Sequence, residues 1–255
     1  MRTVKLHGEP FTVGGGYDVF WDQADDDRWE VSTFEAIKAC VDADTVVLDI
    51  GAWIGPTVLY AASRARRVIA FEPDPVAATA LRENLAMNAG ITAKVAVEEA
   101  AVWREGGTLS LGSRGALGDS MSSALVHDGA ATFEARAIAA GELMNRLGAD
   151  EKLFIKMDVE GAEYAIIPAL RPLLDRPNVS ALVAFHPRIV AGRKRLRVFK
   201  TWPLTRTVMA AFRGFDVRAA RGDTIGLTPA LRLYRATGLV AFEAKRNLLF
   251  TKGAR

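Results

Sequence analysis

Mostly apolar runs of strand length alternate with helical patterns along much of the chain, starting near residue 45. Such runs are typical of parallel strands that are buried on both faces. We predict these strands at residues 45–50, 68–71, 92–97, 153–157 and 179–185, with a final pair at 215–218 and 247–251. Because strands alternate with helices, we predict an α/β fold with a doubly wound, mostly parallel seven-stranded sheet covered on both faces.

Turn and capping residues between the strands indicate where helices begin and end. Ser32 and Glu35 have the spacing of a capping box, in which the Ser32 hydroxyl caps a helix that Glu35 closes from inside. Pro56 suits the first turn of a second helix, and Gly90 is typical of the position where a third helix ends. The predicted helices cover residues 32–41, 56–63, 76–88 and 140–147, and another begins near residue 162.

The chain divides into three predicted parts, which are an N-terminal extension with the first helix at 1–44, a core at 45–187, and a basic insertion with the final strands at 188–255. The net charge is only +3, but residues 188–221 contain ten Lys or Arg and a single acid. This segment interrupts the alternation of strands and helices. It is either a solvated surface or a region that attracts an anionic substrate.

Cysteine content and hydropathy bear on the compartment. The single cysteine, Cys40, cannot form an internal disulfide, which fits a reducing compartment. The first thirteen residues are interrupted by charges and a proline, unlike a signal peptide. No apolar run approaches the roughly 20 residues of a membrane-spanning helix. We therefore expect a cytoplasmic protein without a membrane span.

Glycines follow the first predicted strand, in the segment Asp49–Gly55. Ligands of open parallel sheets bind beyond the carboxyl ends of the strands, where glycine lets the backbone approach them closely. A dinucleotide site needs glycine at the position of Trp53, and a phosphate-binding loop needs Lys followed by Ser or Thr. The pattern therefore favours a ligand without pyrophosphate, such as S-adenosylmethionine. Glu72, which ends the second strand, is suitably spaced to accept hydrogen bonds from both ribose hydroxyls.

Four segments of the chain form one recognisable set, namely DIGAWIG at 49–55, AFEPDP at 70–75, residues 81–88, and IKMDVEGAE at 155–163. Together they resemble the FkbM family of methyltransferases, over about residues 29 to 187. The part from residue 156 to 163 is the most specific. The resemblance implies a sheet of the class I methyltransferase type and S-adenosylmethionine as the methyl donor. It also implies O-methylation of a hydroxyl on a small molecule or glycan.

The same resemblance implies a set of cofactor-binding residues. These are Glu30, Asp49, Gly51, Ala52, Gly55, Glu72, Pro73, Glu99, Ala101 and Asp158. Asp49, Gly51 and Gly55 are expected to hold the methionine end, with Glu72 at the ribose and Glu99 at the adenine. The chain departs from the family pattern in two places. His186 stands where an acid is common, and the tail after residue 188 resembles no part of the family.

Three side chains at the ends of predicted strands are candidates for catalysis, namely Asp158, Glu160 and His186. Transfer of a methyl group to a hydroxyl requires a positioned base. We expect Asp158 to orient or deprotonate the acceptor, with Glu160 or His186 in support. Alternatively, Asp158 forms an ion pair with Lys156 and Glu160 caps a helix. Carboxylate and imidazole ligands would also suit a metal, but the sequence gives no tighter constellation and we expect none.

Other functions remain open at this stage. A pI near 9.1 favours a nucleic-acid methyltransferase, although the chain lacks the Asn/Asp-Pro-Pro-aromatic motif of base-amino methylation. Trp53 argues against a nicotinamide oxidoreductase. A catalytically silent cofactor-binding or scaffolding domain would keep the glycine turn and Glu72 but would not need Asp158. The favoured acceptor is therefore a hydroxyl of a small molecule or glycan, and nucleic acid is less favoured. An anionic acceptor would fit the charge of the basic segment.

Overall fold

A computed structural model describes residues 1–113, 116–119, 124, 131–191, 198–219, 224–225 and 246–252. The strands in these ranges are β1 (Arg2–Leu6), β2 (Glu9–Val13), β3 (Thr45–Ile50), β4 (Arg67–Phe71), β5 (Val95–Glu98), β6 (Ala101–Trp103), β7 (Gly107–Ser113), β8 (Ala131–Ala139), β9 (Lys152–Met157), β10 (Val179–Phe185), β11 (Asp216–Ala219), β12 (Thr224–Ile225) and β13 (Arg246–Thr251). The α-helices are α1 (Asp18–Asp25), α2 (Val31–Cys40), α3 (Pro56–Arg64), α4 (Pro75–Ala86), α5 (Ala89–Thr92), α6 (Glu163–Ile166), α7 (Arg171–Leu174), α8 (Pro187–Ala191) and α9 (Val198–Ala211), with 3-10 helices at Ala140–Arg146 and Ile167–Leu170.

The central sheet has the strand order β12-β11-β13-β10-β9-β3-β4-β5. Neighbouring strands from β10 to β5 are parallel, whereas β13 is antiparallel to both β10 and β11. The mostly parallel α/β sheet is thus confirmed. Its seven predicted strands are joined by an eighth, the two-residue edge strand β12, which the sequence did not indicate. A separate sheet of order β6-β8-β7 lies between β5 and β9 in the chain.

Alternate residues of the central strands face opposite sides of the sheet, and both sides are buried. Leu48, Ile50 and Phe71 belong to one apolar cluster, with exposures of at most 1%. Val47 and Val68 belong to a second cluster on the other side, again with exposures of at most 1%. A strand buried on both faces cannot show the alternation of a half-exposed strand, which explains the continuous apolar runs in the sequence.

Two predicted helix ends are wrong. Helix α2 begins at Val31 after Glu30, a left-handed residue with φ of 41°, so Ser32 lies inside the helix and no capping box forms. Instead, the Thr33 hydroxyl donates a hydrogen bond of 2.8 Å to the Glu30 carboxylate. Helix α4 ends at Ala86, and Gly90 lies in the separate short helix α5. The third strand accordingly begins at Val95 rather than at residue 92.

A hairpin of β1 and β2 precedes the predicted core and was not foreseen from the sequence. Asn84, near the end of α4, and Asn88, just after it, attach the hairpin to this helix. The Asn84 side chain accepts a hydrogen bond from the amide of Gly14 (2.9 Å) and donates one to the carbonyl of Ile54 (2.9 Å). Asn88 pairs similarly with both backbone groups of Thr12. These bonds hold the N-terminal segment beside the glycine turn. Within the described ranges, no helix is long and apolar enough to cross a bilayer.

Candidate active site

An open cleft lies at the carboxyl ends of β3, β4 and β9. The register pairs Ile50 with Phe71 and with Met157, so the residues that follow these three strands lie side by side. The cleft encloses about 630 Å³ of space, including the part that is open to solvent. Gly51, Glu72, Pro73, Ala101, Asp158 and Glu160 from the sequence-based expectations all line it.

The glycine turn after β3 leaves no room for side chains at two positions. Gly51 has a φ of 85°, and a Cβ built there would lie 2.0 Å from the carbonyl oxygen of Asp158. Gly55 has a φ of 93°, and its Cβ would lie 2.3 Å from Leu81. Both conditions favour glycine, because a left-handed backbone strains other residues and the space is already occupied. The turn therefore presents bare backbone to the cleft.

Glu72 is a buried carboxylate at the wall of the cleft. It accepts hydrogen bonds from the backbone amides of Trp53 (2.7 Å) and Asp74 (2.9 Å), one on each oxygen. Burial raises the pKa of Glu72 to about 7, although these two amides oppose the shift. Each carboxylate oxygen has a further lone pair, so Glu72 can still accept hydrogen bonds from a ligand.

A short segment around Gly118 lies against the glycine turn from outside the sheet. Its carbonyl accepts hydrogen bonds from the indole Nε1 of Trp53 (2.9 Å) and from the Tyr17 hydroxyl (3.2 Å). Its amide donates to Asp74 (2.6 Å), and Asp74 also caps α4 through the amide of Val76 (2.8 Å). These three partners of Gly118 were not predicted from the sequence. Only Asp74 has a local signal, because Asp followed by Pro is a common start of a helix.

A buried ion pair supports the turn from below. Lys156 lies 3.0 Å from Asp49 and donates a hydrogen bond of 2.6 Å to the carbonyl of Gly51. Burial opposes the charge of Lys156, but Asp49, Asp158 and Glu30 outweigh it and raise its pKa. Asp49 is 1% exposed and also accepts a hydrogen bond from Thr57 (2.5 Å). Asp49 thus supports the turn from behind the cleft. It is an ion-pair partner of Lys156, which is the role that the alternative prediction from the sequence gave to Asp158.

Asp158, Glu160 and His186 come together at the opposite wall of the cleft. His186 Nε2 lies 3.5 Å from Asp158 Oδ1 and 3.4 Å from Glu160 Oε1. Glu160 has a left-handed φ of 48° and is followed by Gly161 at 98°, a turn that directs the two carboxylates to the same side. Helix α6 is capped by Ala162, so the alternative in which Glu160 caps this helix is wrong.

Glu163 lies beneath this cluster, and it is not among the site residues predicted from the sequence. It is fully buried and accepts hydrogen bonds from the amides of His186 (2.5 Å) and Gly161 (2.8 Å). Its Oε1 also lies 3.4 Å from His186 Nδ1. Burial opposes protonation of His186, but Glu163, Asp158 and Glu160 outweigh it and raise its pKa.

The remaining expected residues lie around the cleft rather than on its wall. Ala52 and Gly55 belong to the glycine turn, and His186 lies behind the two carboxylates. Glu99 follows β5, and its side chain is 44% exposed and paired with Arg82 at 2.8 Å. Glu30 acts electrostatically on Lys156, as noted above. The part of the basic segment at residues 192–197 and 220–221 lies outside the described residues.

A family model described as the methyltransferase FkbM domain matches residues 49–215, which is well over half of the chain. This match begins later than the resemblance found in the sequence, which starts near residue 29. It also continues past residue 187, into the tail in which no resemblance to the family was found. A search of curated proteins finds no match.

Three solved structures illustrate the structural similarities. Methyltransferase FkbM from Methylobacillus flagellatus KT is 15% identical with a TM-score of 0.49, over 82% of this chain but only 44% of that one. An rRNA methylase from Streptococcus thermophilus is 10% identical with a TM-score of 0.47, covering 87% and 95% of the two chains. A precorrin-6y C5,15-methyltransferase from Geobacter metallireducens GS-15 is 15% identical with a TM-score of 0.45, covering 95% and 93%. On the strength of the family model, the chain belongs to the FkbM methyltransferase domain family.

Proposed function

We propose that the protein is an S-adenosylmethionine-dependent methyltransferase that methylates a hydroxyl group of a small molecule or glycan. One observation carries this proposal. Three features line or adjoin one cleft. They are a turn that excludes side chains, a buried carboxylate suited to sugar hydroxyls, and a cluster of carboxylates with an imidazole. The first two features fit a nucleoside ligand without pyrophosphate, and the third fits deprotonation of a hydroxyl.

The residues of the cleft fit the proposed cofactor. Glu72 would accept hydrogen bonds from the ribose hydroxyls through its remaining lone pairs. The bare backbone at Gly51 would lie against the methionine end, and the small residues Ala100 and Ala101 would leave room for the adenine. When bound, S-adenosylmethionine supplies a methyl group that is already activated for displacement. The cofactor roles proposed for Glu99 and Glu30 rest on the family resemblance.

The protein's own task is then to position the acceptor and take its proton. Asp158 and Glu160 line the cleft, and their side chains are 19% and 18% exposed. We assign the removal of the acceptor's hydroxyl proton to Asp158. This residue directly follows the central strand β9, and its backbone touches the glycine turn at Gly51. A protonated His186, which lies beside both Asp158 and Glu160, would hold the two carboxylates in place through its positive charge.

The acceptor class rests on this cluster. A hydroxyl oxygen needs a base, and two carboxylates beside an imidazole can provide one. A nucleic-acid acceptor remains the alternative, and in the described part of the basic segment Arg206 and Arg213 are exposed. A cytoplasmic location also belongs to the proposal, since the single cysteine, Cys40, is free.

Calorimetry with S-adenosylhomocysteine tests the cofactor assignment. We expect saturable binding to the wild-type protein and no binding of NAD. Each hydrogen bond to a charged group is worth roughly 1.5–3 kcal/mol, so Glu72→Ala should weaken binding at least about tenfold. Glu83→Gln, an exposed change on α4, is the matched control and should bind like wild type. A protein that binds NAD but does not bind S-adenosylhomocysteine would refute the proposal. Incubation with methyl-labelled cofactor and panels of glycans, small alcohols and RNA would identify the acceptor class.

A further inference from the structure

We propose that Asp158, Glu160 and His186 form a binding site for one divalent cation of the Mn²⁺ type at the acceptor side of the cleft. One potential ligand atom from each of the three lies within 4.8 Å of the other two. The sequence alone predicted no metal, because spacing along the chain gives no measure of this proximity. Two carboxylates and one imidazole suit a cation that accepts both oxygen and nitrogen ligands.

The distances within the cluster suit ligands around a cation better than hydrogen-bonded partners. His186 Nε2 lies 3.5 Å from Asp158 Oδ1 and 3.4 Å from Glu160 Oε1. A direct hydrogen bond from nitrogen to oxygen would measure about 2.7–3.2 Å. Metal bonds of about 2.1 Å place neighbouring ligand atoms about 3.0–3.4 Å apart. The three atoms thus surround a space close to the size of a bound cation.

His186 has the properties of a ligand rather than of a structural histidine. Its side chain is only 3% exposed, yet Nε2, the nitrogen that faces the two carboxylates, makes no hydrogen bond. A buried polar group without a partner carries a free-energy cost that folded proteins generally avoid. The ring directs Nε2 towards the two carboxylates, so a cation between them would satisfy the buried nitrogen.

Glu163 supplies the support that a metal-binding histidine usually has. Such a histidine commonly presents its other ring nitrogen to a carboxylate, which fixes the ring orientation and the tautomer. Here His186 Nδ1 lies 3.4 Å from Glu163 Oε1. Glu163 is itself fixed by the amides of His186 and Gly161, so it cannot easily turn away.

The local charge also favours a cation. Asp158, Glu160 and Glu163 place three carboxylates around one imidazole in a partly buried region. The nearby ammonium of Lys156 already pairs with Asp49 and the carbonyl of Gly51. Clustered carboxylates that are shielded from water repel one another, and a divalent cation would reduce this repulsion.

The role of the cation rests on the proposed function, although its binding does not. Three protein ligands leave coordination positions open towards the cleft. An acceptor hydroxyl bound at an open position would have a lowered pKa, and would be held near the transferable methyl group. Asp158 would then position the cation through one carboxylate oxygen and accept the hydroxyl proton through the other. Activation of the hydroxyl would require the cation as well as the carboxylates.

Electron paramagnetic resonance of free Mn²⁺ tests the site without any acceptor or cofactor. The protein is first treated with a chelator and then titrated with Mn²⁺. We expect one Mn²⁺ per chain, and at least about tenfold weaker binding in Glu160→Gln, a change at a partly exposed side chain. Glu163→Gln should weaken binding by about 10- to 100-fold, as supporting residues do. Asp26→Asn, a change at an exposed side chain in the acidic run of residues 25–27, is the control for adsorption to surface carboxylates and should bind like wild type.

Two results would overturn the inference. They are the absence of saturable Mn²⁺ binding by the wild-type protein, and equal affinity in wild type and a folded Glu160→Gln variant, with folding checked by thermal unfolding. Binding of S-adenosylhomocysteine is measured on the same chelator-treated samples. Cofactor binding without Mn²⁺ binding would reject the cation site alone. Mn²⁺ binding without cofactor binding would support the site and reject the proposed function.

Discussion

Cofactor affinity should depend on pH through Glu72. Its pKa is raised to about 7 by burial, so the carboxyl changes its charge within the range in which the protein can be assayed. Its two oxygens already accept hydrogen bonds from the amides of Trp53 and Asp74. Protonation would remove one of the remaining lone pairs and the negative charge. A protonated Glu72 should therefore hold ribose hydroxyls less well than the ionised form.

The size of the effect follows from the pKa. A group with a pKa of about 7 is roughly nine-tenths ionised at about pH 8 and roughly one-tenth ionised at about pH 6. If only the ionised form binds well, affinity for S-adenosylhomocysteine should fall about tenfold between these two pH values, or about 1.4 kcal/mol. Titration calorimetry at several pH values measures this directly.

Glu72→Gln provides the comparison, because its amide does not titrate in this range. We expect weaker binding at about pH 8 and a flat profile down to about pH 6. His186, whose pKa is also raised, would contribute equally to both proteins and so would not change the difference between them. A wild-type profile as flat as that of Glu72→Gln, or parallel slopes in the two proteins, would refute the assignment of Glu72 to the ribose.

Four further outcomes test the site. Glu72 has a higher pKa in the folded protein than in the unfolded one, so its ionisation destabilises the folded state. The free energy of unfolding of wild type, compared with that of Glu72→Gln in thermal or urea unfolding, should therefore fall as the pH rises from about 4.5 towards 7. Asp158→Asn should lower turnover by about 10²–10⁴ while affinity for S-adenosylhomocysteine changes little, and a folded variant with normal turnover would contradict this. Lys156→Met should cost about 3–5 kcal/mol in urea unfolding, since Asp49 is left as an unpaired buried charge. Gly51→Ala should reduce both stability and cofactor binding, whereas Gly15→Ala, which meets no atom within 4 Å, should do neither.

The elements that carry strong local patterns were predictable from sequence. Strand β3 and the glycines after it were found because a fully buried parallel strand leaves a continuous apolar run. Glu72 was found because a strand end has a defined relation to the preceding turn. The hairpin of β1 and β2 was missed because five-residue strands joined by a two-residue turn produce little periodicity.

The parts of the site that depend on long-range contacts could not be predicted. Nothing local indicates that Lys156 pairs with Asp49, since the two residues meet only through the register of β3 and β9. Glu163 approaches His186 because the turn after β9 and the end of β10 are adjacent in the sheet. A single sequence contains no information on such pairings, whereas it does contain the residue types that they bring together.

The cofactor turn and the reaction cluster share structure through Asp158. Its carbonyl oxygen fills the space beside Gly51, and its carboxylate faces His186. Lys156, two residues earlier, connects the same turn to the strand through the Gly51 carbonyl. A change that moves the backbone at residue 158 or 51 must therefore disturb both cofactor binding and the cluster, and it cannot distinguish their roles. Substitutions that keep the backbone in place and change only a terminal atom, such as Asp158→Asn, are the ones that can separate the two.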